Sequence, residues 1–154
     1  MSLSVGDKAP DFDVTSSNGK RIKLSDLAGK KNVVLYFYPG DFTPVCTKET
    51  CGFRDMHEDL ASKDTEIIGV SVDSDESHRK FAEEYKVPFE LVSDEEKKIA
   101  KLYGATGFLR DLIGKAKRKT FVIGKDGRIA AILESELRAS KHLDGVRDAL
   151  AKLS

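Results

Sequence analysis

The run Asn32-Val33-Val34-Leu35-Tyr36-Phe37-Tyr38 constrains this chain more than any other segment. Valine, leucine and aromatic side chains follow one another without polar alternation. Successive side chains of a strand point to opposite faces. Such a run therefore needs apolar cover on both sides, as a central strand of a sheet sandwiched by helices has. Glu66–Val72 (EIIGVSV) reads as a second strand of the same kind.

The remaining pattern supplies the cover. Phe12–Thr15 and Arg21–Leu24 flank Ser16-Ser17-Asn18-Gly19-Lys20 and predict an N-terminal β-hairpin. Helices are predicted from Thr43 to about Ser62, with Phe53, Met56 and Leu60 on one stripe, and over Asp75–Lys86, carrying Phe81 and Tyr85. A short strand lies near Phe89–Val92. A helix over Asp94–Tyr103 follows, with Ser93 and Asp94 as caps and Gly104 as its stop. Thr120–Ile123 and Arg128–Leu133, joined by Gly124-Lys125-Asp126-Gly127, form an antiparallel hairpin. Ser140–Leu153 closes the chain as a helix with Leu143, Val146, Leu150 and Leu153 at helical spacing. Alternating strands and helices followed by a hairpin imply an α/β fold with a mixed central sheet flanked by helices. That is the layout of a thioredoxin-like fold, expected as one domain over residues 1–154.

Acidic and basic residues balance at 26 each, so bulk charge offers nothing to nucleic acid or an anionic membrane. No apolar stretch approaches the ~18 residues that span a bilayer. Residues 1–10 carry no apolar signal-peptide core. The expectation is a cytoplasmic chain without membrane or nucleic-acid partners. In that compartment the two cysteines, Cys46 and Cys51, are reactive or inert rather than a permanent staple.

The chemistry concentrates between Tyr38 and Cys51, where a buried strand ends and a helix begins. Ligand sites of open α/β sheets sit at such strand ends. Thr43 is a good N-cap and Pro44 suits the first helical position. Cys46 then falls at the third position, facing unpaired amides. Those donors and the helix dipole favour an anion and lower the thiol pKa. A drop of ~2 units from ~8.5 would make the sulfur mostly thiolate at pH 7, a differential stabilisation of ~2.7 kcal/mol. The thiolate is the nucleophile.

Cys51 lies five residues on. On an intact helix that is a rise of ~7.5 Å and a turn of ~140°, with Cα atoms ~8.6 Å apart. Disulfides want about 4.4–6.8 Å. A bond between these cysteines therefore requires the helix start to unwind, and Gly52 weakens the segment.

Pro39-x-x-x-Thr43-x-x-Cys46 resembles the active-site motif of peroxiredoxins, and a second cysteine five positions later resembles their Q-type, or bacterioferritin comigratory, subfamily. The resemblance runs from Gly6-Asp7-Lys8-Ala9-Pro10-Asp11-Phe12 to the last helix. It implies a thiol peroxidase. Cys46 would be oxidised by a hydroperoxide to a sulfenic acid, and Cys51 would resolve it as an intramolecular disulfide. Thioredoxin or a similar dithiol would then reduce the disulfide. Thr43 would hydrogen-bond the peroxide and Pro39 would shield the site from water. Arg118, two residues before Thr120-Phe121, matches the family's arginine. Glu49 matches its acidic residue three after the nucleophile. No metal, haem or flavin is implied. No cysteine follows Cys51, which favours a monomer by analogy.

Other readings attach to the same residues. Thr43 can serve as a cap and a peroxide donor at once. Arg118 competes with Lys117 and Lys119 in the run Lys115–Lys119. Glu49 alone reads as a helix-surface acid, and His57, His78 and His142 as residues on solvated helix faces. Phe42, Tyr36, Phe37 and Tyr38 read as packing. A zinc site lacks ligand spacing. A protein thiol–disulfide oxidoreductase would want Cys-x-x-Cys, and a redox-controlled interaction protein would lack turnover.

Overall fold

The computed structural model describes residues 3–38, 40–42, 44–105, 119–134 and 139–153, and for residues 44–46 the backbone alone. Chain order is β1 (Asp13–Thr15), β2 (Arg21–Lys23), α1 (Leu24–Leu27), β3 (Asn32–Phe37), α2 (Pro44–Ser62), β4 (Thr65–Ser71) and α3 (Asp75–Tyr85). Then come β5 (Glu90–Ser93), α4 (Lys98–Leu102), β6 (Lys119–Ile123), β7 (Ile129–Glu134) and α5 (Ala139–Leu153).

Five strands form one sheet in the order β5-β4-β3-β6-β7. β3 is the centre. It runs parallel to β4, with Asn32 opposite Thr65, and antiparallel to β6, with Phe37 opposite Lys119. β4 and β5 are parallel, and β6 and β7 are antiparallel. β1 and β2 pair as the separate N-terminal hairpin. The mixed sheet is as the sequence predicts.

All six residues of β3 are buried, and their parity divides the core. Val33, Leu35 and Phe37 pack with Val70, Phe121, Ile99 and Tyr103 on one side. Val34 and Tyr36, with Tyr38 just beyond the strand, pack on the other with Phe53, Met56, Leu60, Phe81, Val146 and Leu150. Helices α2, α3 and α5 thus share one face of the sheet, and α4 and the N-terminal segment cover the other.

Two local predictions shift. The helix expected from Asp94 begins at Lys98. Asp94 instead uses its carboxylate as a remote cap, accepting the amides of Ile99 at 3.2 Å and Ala100 at 2.9 Å. Lys97, with φ 58°, interrupts the turn between them. Leu24, read as the end of a strand, opens the short α1. The other elements start and stop within one or two residues of expectation, the usual scatter of helix and strand ends.

Candidate active site

α2 begins at Pro44, a few residues beyond the C-terminal end of β3. Position 46 is therefore the third residue of the helix and position 51 the eighth. No acidic residue competes for the amides of the first turn. Cys51 is half-buried and forms no disulfide. The backbone is helical through both cysteines, which holds their Cα atoms near the ~8.6 Å of an ideal helix. The side chain of Cys46, and Pro39, Thr43 and Arg118, lie outside the described residues.

Lys119, one rival of Arg118, pairs with Phe37 at the end of β3 and turns its side chain to the face of the sheet opposite α2. Its ammonium sits 5.5 Å from the Phe121 ring centroid, and Phe121 belongs to the core layer opposite α2.

The segment entering α2 is anchored by buried polar groups. The Tyr38 hydroxyl donates to Asp41 Oδ1 at 2.6 Å, and the Ser77 hydroxyl donates to Asp41 Oδ2 at 2.9 Å. Nδ1 of His78 lies 2.7 Å from the same Oδ2. The Asp41 amide donates to Asp73 Oδ2 at 2.8 Å, which the Ser71 hydroxyl also reaches at 2.6 Å. Burial pushes the Tyr38 phenol well above its usual range, with Tyr36 and Asp41 adding to the shift. Among the described residues, Asp41, Asp73 and His78 are the group whose chemistry suits a metal, their ligand atoms lying within 4.8 Å of one another. Every one of those atoms already has a hydrogen-bond partner. The cluster is complete as a polar network that fastens the helix entry to α3 and β4.

One turn into α2, Glu49 and Thr50 are fully buried. Glu49 Oε2 lies 3.2 Å from Nδ1 of His142 on α5. That Nδ1 is also 2.7 Å from the Thr120 hydroxyl on β6. The Thr50 hydroxyl is 3.0 Å from that of Tyr36. These contacts correct three sequence expectations. Glu49 is not a helix-surface acid, and neither His78 nor His142 lies on a solvated face, both being completely buried. Their helices turn those positions inward, where an acid waits on another element. His57 is half-buried, its ring 6.4 Å from that of Phe89.

Phe42 keeps 46% of its surface exposed and takes φ 63°, a left-handed conformation rare for a bulky residue. Its ring leans on Phe81 at 5.1 Å. Tyr36, Phe37 and Tyr38 are fully buried packing residues, as read from the sequence.

A thiol at the head of a helix beyond a central strand end, with an anchored entry loop, is a site for a stabilised thiolate. Comparison with known proteins shows the family. Residues 5–132 match the AhpC/TSA family. The chain belongs to that family and is a peroxiredoxin of the Bcp/Q group. "Peroxiredoxin Bcp" of Bacillus subtilis (strain 168) is 44% identical over 157 residues, covering 99% of this chain and 96% of that protein. "Peroxiredoxin Q, chloroplastic" of Arabidopsis thaliana is 44% identical over 143 residues, covering 92% of this chain and 64% of its own longer sequence. Among solved structures, peroxidoxin BcpB of Mycobacterium tuberculosis superposes with a TM-score of 0.88 at 33% identity, covering 99% of both chains. This peroxiredoxin is a thiol peroxidase with a thioredoxin-like fold. No helix among its described residues is long and apolar enough to cross a membrane.

Proposed function

We propose that this peroxiredoxin reduces hydrogen peroxide and organic hydroperoxides through Cys46, with Cys51 as the resolving thiol. The observation that carries the assignment is the start of α2 at Pro44, which puts position 46 in the first helical turn. The Cys46 thiolate attacks one peroxide oxygen. The O–O bond breaks, sulfur gives up two electrons, and the departing alkoxide or hydroxide takes a proton. The resulting sulfenic acid condenses with the Cys51 thiol, releasing water and forming a disulfide. A thioredoxin-like dithiol protein returns both thiols by exchange. Thr43 donates to the peroxide, Pro39 excludes water, and Arg118 adds a cation beside the thiolate. Organic peroxides fit the reading because a structural neighbour is described as the "Xanthomonas campestris Bacterioferritin Comigratory Protein" with "Alkyl Peroxide Reduction Activity". That neighbour superposes with a TM-score of 0.84 at 27% identity. One domain, residues 1–154, carries the cycle as a monomer in the cytoplasm.

Titration of the reduced protein with hydrogen peroxide tests the assignment. One equivalent should consume both thiols, and mass spectrometry of the digest should find Cys46 joined to Cys51. Thiols that survive the oxidant, or a product lacking that crosslink, would overturn it.

A further inference from the structure

The turn of α2 between the two cysteines is met from two other elements, β3 and α5. Thr50 meets the Tyr36 hydroxyl of β3 at 3.0 Å. Glu49 Oε2 lies 3.2 Å from His142 Nδ1 of α5, an approach by distance without hydrogen-bond geometry, and His142 is itself seated on Thr120 of β6 at 2.7 Å. Tyr36, Glu49, Thr50, Thr120 and His142 are all fully buried. Residues 49 and 50 lie inside the stretch whose geometry must change for a Cys46–Cys51 bond to form. A helix spaces those Cα atoms ~8.6 Å apart, and a disulfide needs them within about 4.4–6.8 Å. Closing that gap pulls Thr50 off the Tyr36 hydroxyl and moves Glu49 away from His142. A buried polar group parted from its partner costs more than the hydrogen bond returns in water.

We propose that Tyr36 and His142 are positioning residues that hold residues 46–51 helical and thereby set the pace of disulfide closure. The inference rests on the roles of Cys46 and Cys51 proposed above. While the tethers hold, the Cys46 sulfur stays at the helix start, where backbone amides favour its thiolate and the peroxide step runs. After oxidation, closure must wait for the tethers to part. The Cys51 thiol then loses its proton to the departing hydroxide, the S–S bond forms, and water leaves. The tethers accordingly act in opposite directions on the two steps. They favour the first and retard the second. A general loosening of the fold would not separate the steps in this way.

Stopped-flow mixing of the reduced protein with hydrogen peroxide resolves both steps. The first phase depends on peroxide concentration and the second does not. Tyr36→Phe and Thr50→Val each delete one hydroxyl at nearly constant volume. Each should speed the second phase about three- to tenfold, the worth of one hydrogen bond, and leave the first no faster. The Tyr36→Phe/Thr50→Val double variant should match the single variants, because both remove the same bond. His142→Leu should speed closure in the same way. His142→Asn, whose amide can replace Nδ1, should restore part of the wild-type rate. A second phase that is unchanged or slower in Tyr36→Phe and Thr50→Val, or a first phase that is faster, overturns the inference. If the wild type itself shows no peroxide-dependent first phase, it is the assignment of Cys46 that fails instead.

Discussion

His78 Nδ1 on α3 lies 2.7 Å from Asp41 Oδ2 in the loop entering α2, with both side chains shut off from solvent. The pair ties the active-site entry to a helix 37 residues further along the chain. Tyr38 and Ser77 donate to the same carboxylate. Asp41→Ala would leave the buried Tyr38 and His78 and the half-buried Ser77 without their acceptor. The expected loss is about 3–5 kcal/mol of folding stability, read from urea unfolding at unchanged slope. Asp41→Asn keeps one oxygen acceptor and should lose much less. In both variants the peroxide step should slow, since the loop that delivers the helix start is no longer fixed.

Gly52 follows Cys51, and its weakness as a helix former is only half of its meaning. A Cβ built there would stand 2.3 Å from Leu143 Cδ1, 2.8 Å from Cδ2 and 3.1 Å from Cγ. The Leu143 side chain of α5 occupies the space that a Cβ at position 52 would take, so it must shift to admit one. Alanine is worth about 1 kcal/mol over glycine in a helix, while overpacking costs about 1–3 kcal/mol. Gly52→Ala should therefore be destabilising on balance. The sign should reverse in a Leu143→Ala background, where the space is open and propensity alone acts. Denaturant titration of the two pairs measures both.

The contrast between β3 and the histidines shows how far the sequence could be read. β3 and β4 were legible because unbroken apolar runs have one structural meaning. The start of α2 was legible because Thr43-Pro44 is local capping chemistry. His78 and His142 were misplaced because their partners, Asp41 and Glu49, are distant in the chain, and no local rule pairs them. A signal was present all the same. His78 is three residues before Phe81, and His142 is four before Val146, so each sits on the apolar stripe of its helix. Polar residues on such a stripe imply a buried partner. Asp94 misled for a different reason: a capping residue was recognised, but it caps a helix starting four positions later.

The proposed disulfide carries a structural cost that can be observed directly. Residues 44–53 are helical with the cysteines apart, and a crosslink between positions 46 and 51 is incompatible with that helix. Oxidation with one equivalent of peroxide should lower the far-ultraviolet helical signal and strip hydrogen-exchange protection from these residues. Protection in β3 and β4 should survive, because the central sheet need not move. Equal spectra and equal protection in both redox states would exclude a local unwinding. Cys51→Ser should keep the helix after oxidation and accumulate the sulfenic acid.

Alkaline pH offers an independent test of the core. Burial raises the Tyr38 phenol well above the ordinary tyrosine range, and burial also raises Tyr103. In the unfolded chain both phenols ionise near pH 10. The folded state still holds their protons there, so above pH 10 the folded protein binds more protons than the unfolded one. Their contribution is fully present below pH 10 and is lost as pH rises toward the folded values. Stability should accordingly fall above about pH 10, by up to ~1.4 kcal/mol per pH unit for each tyrosine. Tyr38→Phe should remove one of the two protons from this dependence and flatten the slope. It also frees Asp41 Oδ1 of its donor, so its stability at pH 7 should be lower even as the alkaline loss shrinks. Urea midpoints measured between pH 8 and pH 11 for both proteins distinguish the two effects, because only the titration changes with pH.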